Sequence, residues 1–176
     1  GGMATDIWGR TSVDGLWGFT NTAWATGQNL NLAAFATQPD LIDYQGGSKP
    51  GLSVGNTGIE IGESMILRLP ESTTQATLAL NQLNLSQPTA TWSTYDANGV
   101  LLASGTFGPG TSNGSTSLQT ILSATPFTYL RLSNTESGGQ GYALASVEYA
   151  RSASNHVDQF NYTMRDADGD TSSATL

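Results

Sequence analysis

Apolar and polar residues alternate with a period of two through much of this chain, the pattern of strands that bury one face. From Glu63 to Leu69, Met65, Leu67 and Leu69 alternate with Ser64, Ile66 and Arg68; from Gln75 to Asn81, Ala76, Leu78 and Leu80 share a face. Ala90 to Tyr95 reads as a strand running into Asp96-Ala97-Asn98-Gly99, whose Asn-Gly pair predicts a hairpin turn, and Val100 to Ala103 returns from it. Leu52 to Val54, Phe127 to Ser133 and Tyr142 to Tyr149 supply further strands, and Trp92 and Phe127 are expected in the core. Turn signals recur at sandwich-like spacing, so the pattern predicts an all-β antiparallel β-sandwich of jelly-roll type. Gly105 to Ser117, rich in Gly, Ser and Thr, reads as a mobile loop.

The two ends read differently. The first 40 residues have no clear period and hold three of the four tryptophans, Trp8, Trp17 and Trp24, among Gly, Asn and Thr. Beyond Ala150 comes a polar, linker-like run from Arg151 to His156. An alternating strand from Asp158 to Met164, an acidic turn from Asp166 to Asp170, and a returning strand from Thr171 to Leu176 follow it. A lone hairpin cannot bury its own apolar face, so this one is expected to belong with another unit. The reading is a β-sandwich domain over 1–150, and a linker with a closing hairpin over 151–176. Gly1-Gly2-Met3 looks appended, and the natural protein is expected to extend beyond both ends.

Composition narrows the class of partner. Of 176 residues, 38% are apolar and only 11% charged, which suits short strands and many turns and leaves no salt-bridged helical surface. Fourteen acids against six bases give a net charge of −8, which argues against nucleic acid and for a cation. The chain has no cysteine, so an extracellular domain of this kind needs another staple, and calcium bound only to the folded state is one. No apolar run reaches the length of a membrane span. The single histidine, His156, lies in the linker, which leaves almost no material for a Ser-His-Asp triad or a histidine-based zinc site; the chain is expected not to be an enzyme.

The candidate metal ligands are acids in Gly-rich surroundings. Asp166, Asp168 and Asp170 alternate around Gly169, so three carboxylates can converge on one calcium ion; the alternative is a solvated acidic turn. Glu60 and Glu63 lie beside Gly58 and Gly62, and with Asp40, Asp43 and Glu148 they form a second candidate calcium set, against ordinary surface acids. Trp8, Trp17 and Trp24 are candidate ligand contacts if exposed. So are Asn134, Glu136 and Gln140, in a loop with three glycines that composition alone would also make flexible.

Phe160-Asn161-Tyr162-Thr163-Met164-Arg165-Asp166-Ala167-Asp168-Gly169-Asp170-Thr171-Ser172-Ser173-Ala174-Thr175-Leu176 resembles the closing hairpin of the immunoglobulin-like or cadherin-like extender repeats in giant repeats-in-toxin bacterial adhesins. Gly51 to Val54, Ile59 to Leu69 and Trp92 to Gly99 are similar to the ligand-binding domains carried near the far end of those adhesins. The resemblance implies a secreted module at the bacterial cell surface, monomeric within a longer chain and not inserted in a membrane. It further implies a calcium-dependent grip on the free C-terminus of an extracellular peptide or protein. A calcium-dependent lectin-like module binding glycans, and a structural extender with calcium at its junctions, are the alternatives.

Overall fold

The computed structural model describes residues 15–20, 27–36, 42–47, 50–55, 58–84, 90–112, 114–135, 141–150, 161–165 and 171–175. They form an antiparallel all-β structure with one short 3₁₀ helix, Leu32–Ala36. The strands are β1 (Gly15–Phe19), β2 (Ile42–Gln45), β3 (Gly51–Val54), β4 (Ser64–Asn81), β5 (Ala90–Tyr95), β6 (Leu101–Thr106), β7 (Ser117–Asn134) and β8 (Ala143–Tyr149). A separate two-stranded sheet holds β9 (Asn161–Arg165) and β10 (Thr171–Thr175). Its register pairs Asn161 with Thr175 and Arg165 with Thr171, the hairpin expected from the alternation.

The centre of the main sheet is the antiparallel pair β4 and β7, each 18 residues long. The order β2-β3-β8-β4-β7-β5-β6 conceals a change of neighbours along that pair. The first half of β4 lies beside β1, from Ser64 to Arg68, and its second half beside β8, from Ala76 to Asn81. β7 takes β5 only along Tyr129 to Asn134. Register shifts between Arg68, Thr73 and Gln75 mark the change. Pro70, which cannot donate to a ladder, lies in this stretch, where a missing amide costs least.

Two separate strands were expected at 63–69 and 75–81; they are one strand broken only in register. The expected inward faces are inward: Met65, Leu67, Leu69, Ala76, Leu78, Leu80 and Phe127 share one core, which Ile121, Leu130 and Leu132 of β7 also join. Ile42 and Leu52, from one end of the strand order, and Trp92 and Leu102, from the other, pack on that same core. The sheet therefore folds over on itself.

The opposite face of β4 and β7 is also covered. Phe19, Leu30, Ile66, Tyr95 and Tyr129 are buried together, with Trp17, Leu32, Phe35 and Leu101 packed around them. The segment 27–36 is tied across this face: the Leu30 amide donates to the Gly99 carbonyl at 2.8 Å, and the Leu101 amide to Asn29 Oδ1 at 2.9 Å. The turn at Asp96 to Gly99 is as expected, with Gly99 at φ +79° and Asp96 Oδ1 accepting the amides of Asn98 and Val100.

The expected loop at 105–117 corrects itself in the structure. β6 runs to Thr106, Phe107 is buried, its amide donates to the Ala90 carbonyl at 2.8 Å, and Thr111 donates to the Leu83 carbonyl at 3.0 Å. Gln82 in turn donates to the Gly114 carbonyl at 2.8 Å. Main-chain bonds and one buried aromatic hold the segment where composition suggested a loose loop.

Candidate functional site

One end of the folded sheet collects three of the polar residues nominated from the sequence. β7 ends at Asn134 and the chain comes back at Gly141, just before β8; residues 59–63 are laid into the gap between these two points. Ile59 forms an antiparallel bridge with Tyr142, and Ile61 a parallel bridge with Asn134. The Ile59 amide donates to the Tyr142 carbonyl at 2.7 Å, and Asn134 Nδ2 donates to the Ile59 carbonyl at 3.5 Å. Gly58, at φ +129°, lies so close to Gly141 that a Cβ there would sit 2.7 Å from the Gly141 carbonyl carbon.

This gap places Glu60 and Glu63 side by side on a tight turn. The Glu63 amide donates to the Glu60 carbonyl at 3.0 Å, and the Glu60 amide donates to Glu63 Oε2 at 2.8 Å. Partial burial pushes the Glu63 carboxyl above the usual range; the Glu60 amide pulls it down, and the charge of Glu60 pushes it up again. The Glu60 side chain also flanks the other root of the loop, since a Cβ on Gly141 would meet its Cγ at 2.9 Å. Both roots of the 136–140 segment thus stand beside the glutamate pair. Asn134 itself is buried and braces the 59–63 segment.

Beneath the pair lies a buried polar layer that the sequence pattern left unassigned. Arg131 is 5% exposed, and its Nε donates to Ser64 Oγ at 3.0 Å. The Tyr142 hydroxyl donates to the Ser133 carbonyl at 3.0 Å, and burial pushes it far above the ordinary tyrosine value. Ser64, Ser93 and Ser133 occupy positions that alternation assigns to solvent, yet all are buried. The signal that could have found them is the aromatic, non-periodic start of the chain, of which Trp17, Phe19, Leu30, Leu32 and Phe35 pack in a second layer.

The other nominated residues do not join this end. Asp43 is exposed on β2, where its Oδ1 accepts the Tyr44 amide at 2.7 Å. Glu148 is exposed on β8 opposite Thr77, in the second half of β4, whereas Glu60 and Glu63 precede its first residue. Among the described residues no three acidic, histidine or cysteine side chains gather as a metal site; of the expected set of Asp40, Asp43, Glu60, Glu63 and Glu148, Glu60 and Glu63 are the two seen side by side. Trp17 is half-buried, folded over Gly15 and stacked on Phe35 with ring centres 4.7 Å apart. Asp40, Asp166, Asp168, Asp170, Trp8, Trp24, Glu136 and Gln140 lie outside the described residues. No helix among the described residues is long and apolar enough to cross a membrane. Comparison with known proteins finds no matching family model, no matching curated protein and no matching solved structure.

Proposed function

We propose that the chain is a calcium-dependent ligand-binding module of a bacterial surface adhesin, and that it takes the free C-terminus of an extracellular peptide. The sequence resemblance over 51–69, 92–99 and 160–176 motivates this reading. The observation that carries it to a place is the convergence of Glu60 and Glu63 with both roots of the 136–140 segment. Two neighbouring carboxylates, one of them with a raised proton affinity, favour a divalent cation, which relieves their mutual repulsion. Glu136 and Gln140 belong to the segment rooted there and are of the right chemistry to add oxygen ligands. A peptide carboxylate then completes the coordination shell, and affinity becomes calcium-dependent.

The acids of 166–170 take a different role in this reading, as a calcium turn within an adjoining extender repeat, on the strength of the sequence resemblance alone. The glycan alternative is weakened by Trp17, whose ring is committed to Phe35 and Gly15. Titration calorimetry with two peptides, alike except for a free or an amidated C-terminus, tests the proposal in millimolar calcium and again in excess chelator. The free carboxylate is expected to bind only with calcium and the amide much more weakly. Equal binding of both forms, with competition by a monosaccharide, would overturn it in favour of the glycan reading.

A further inference from the structure

Among the described residues, no strand pairs with the outer edge of the first half of β7. From Ser117 to Leu122 it is in register with Leu80 to Gln75 of β4, while β5 joins its other side only from Tyr129 onward. Inward-facing Ile121 is fully buried, but Leu118 and Leu122 stand 72% and 67% exposed, with exposed Thr120 between them. Edges of this kind are ordinarily guarded by a charge or a proline within the strand. Here there is neither between Ser117 and Thr125, and indeed no Asp, Glu, Lys, Arg or His occurs anywhere from Ala97 to Leu130. In a chain of net charge −8, a stretch of 34 uncharged residues is where a like-charged molecule can approach most closely.

We propose that this edge pairs with the same edge of a second copy of the chain, antiparallel about a two-fold axis at Thr120. The sequence is self-complementary in that register: Thr120 faces its own counterpart, and Leu118 of each copy lies directly opposite Leu122 of the other. The leucine pairs then cover on both sides the apolar surface that each copy exposes alone, and Thr–Thr and aliphatic cross-strand pairs are favourable ones. The two sheets become continuous through an isologous contact that closes after two copies. Among the described residues the nearest acid on that face is Glu148, two strands away opposite Thr77. Its counterpart across the axis is five strand spacings off, about 24 Å, well beyond the screening length of about 8 Å at physiological salt. The monomer expected from the sequence becomes a dimer joined through β7, independently of what the far end of the sandwich binds.

Sedimentation of the full chain over a concentration series is expected to show a species of twice the 18.4 kDa chain mass. Its share should grow as salt is raised, because added ions screen the repulsion between acidic copies. The double variant Leu118→Lys/Leu122→Lys sets like charges opposite one another at positions exposed in the single chain; it is expected to stay folded by circular dichroism and to be monomeric. The chain has no native cysteine, so single cysteines report the register cleanly. Directly opposed residues have Cα atoms about 4.5–5.5 Å apart, within disulfide reach, whereas Leu118 lies about 13 Å along the strand from its own counterpart. Thr120→Cys is therefore expected to cross-link to a covalent dimer under mild oxidation, and Leu118→Cys alone is not, unless it is mixed with Leu122→Cys. A chain that remains monomeric to about millimolar concentration overturns the proposal, as does a Thr120→Cys variant that stays reduced because another element takes the edge. Equal cross-linking of Thr120→Cys and Leu118→Cys overturns it too.

Discussion

Removing one oxygen atom from Tyr95 should stabilise this protein. Tyr95 is fully buried in the second core, among Phe19, Leu30, Ile66 and Tyr129, and its hydroxyl has no hydrogen-bond partner among the described residues. A hydroxyl taken out of water with nothing in exchange costs about 1–3 kcal/mol. Tyr95→Phe removes that cost and leaves a gap of a single atom, whose lost dispersion offsets only part of the gain, so a net stabilisation of about 1–2 kcal/mol is expected. For a chain of this length each kcal/mol moves the thermal midpoint by about 2–4 °C. Tyr142→Phe is the matched control. That hydroxyl is equally buried but donates to the Ser133 carbonyl at 3.0 Å, so the same chemical change should destabilise by about 1 kcal/mol. Scanning calorimetry of both variants beside the parent reads the two signs directly. A Tyr95→Phe midpoint lowered as far as that of Tyr142→Phe would refute the reasoning, since it would mean that the Tyr95 hydroxyl is satisfied.

Two further outcomes follow from the glutamate end. Glu63→Gln keeps an oxygen for the Glu60 amide but removes the charge. Since the folded state raises the Glu63 pKa, its ionised form opposes folding. The penalty is absent below the ordinary glutamate value of about 4.3, sets in as pH rises, and is complete above the folded value. Without calcium the variant should thus melt above the parent at pH 7 and together with it near pH 4, and added calcium should raise the parent midpoint more than the variant's; a parent that melts higher at pH 7 without calcium counts against the assignment. Gly58→Ala combines a positive φ with a Cβ pressed on the Gly141 backbone, so denaturant titration should show a loss of about 1–3 kcal/mol, and an unchanged midpoint would mean that the Gly58–Gly141 contact is not maintained.

Period-two alternation located β3, β5 and β8, the inward face of β4 and the second half of β7, because side chains there alternate between a greasy core and a more polar face. It failed where a strand changes neighbours. From Pro70 to Thr74 the sequence is polar and carries a proline, which reads as a break, yet the strand runs on through it, with Thr73 in register with Phe127 of β7 and its hydroxyl donating to the Ala150 carbonyl at 2.6 Å. The second core was illegible for a related reason. Leu30, Leu32 and Phe35 come from a segment with no period of its own, so the face of β4 and β7 that carries Ile66 and Tyr129 looked solvent-facing. Of the candidate site, the glutamate pair was readable from its glycine-flanked turn. The separation of Glu148 from it was not, since only the register of β8 on the far half of β4 keeps the two apart.

The shared central strands also set a timetable for folding. The ladder that both halves depend on joins positions 64 and 133, and neither half can be completed until the second of these has been made. Contacts this distant in sequence must wait for a large loop to close, so the transition is expected to be slow and to take both halves together. A chain growing from its N-terminus holds Met65, Leu67, Leu69, Leu78 and Leu80 exposed until residues 117–134 emerge. Throughout that interval β4 has only β1 beside its first half and lacks β7 along its whole length, so assembly is safest where nascent chains are sparse or chaperoned.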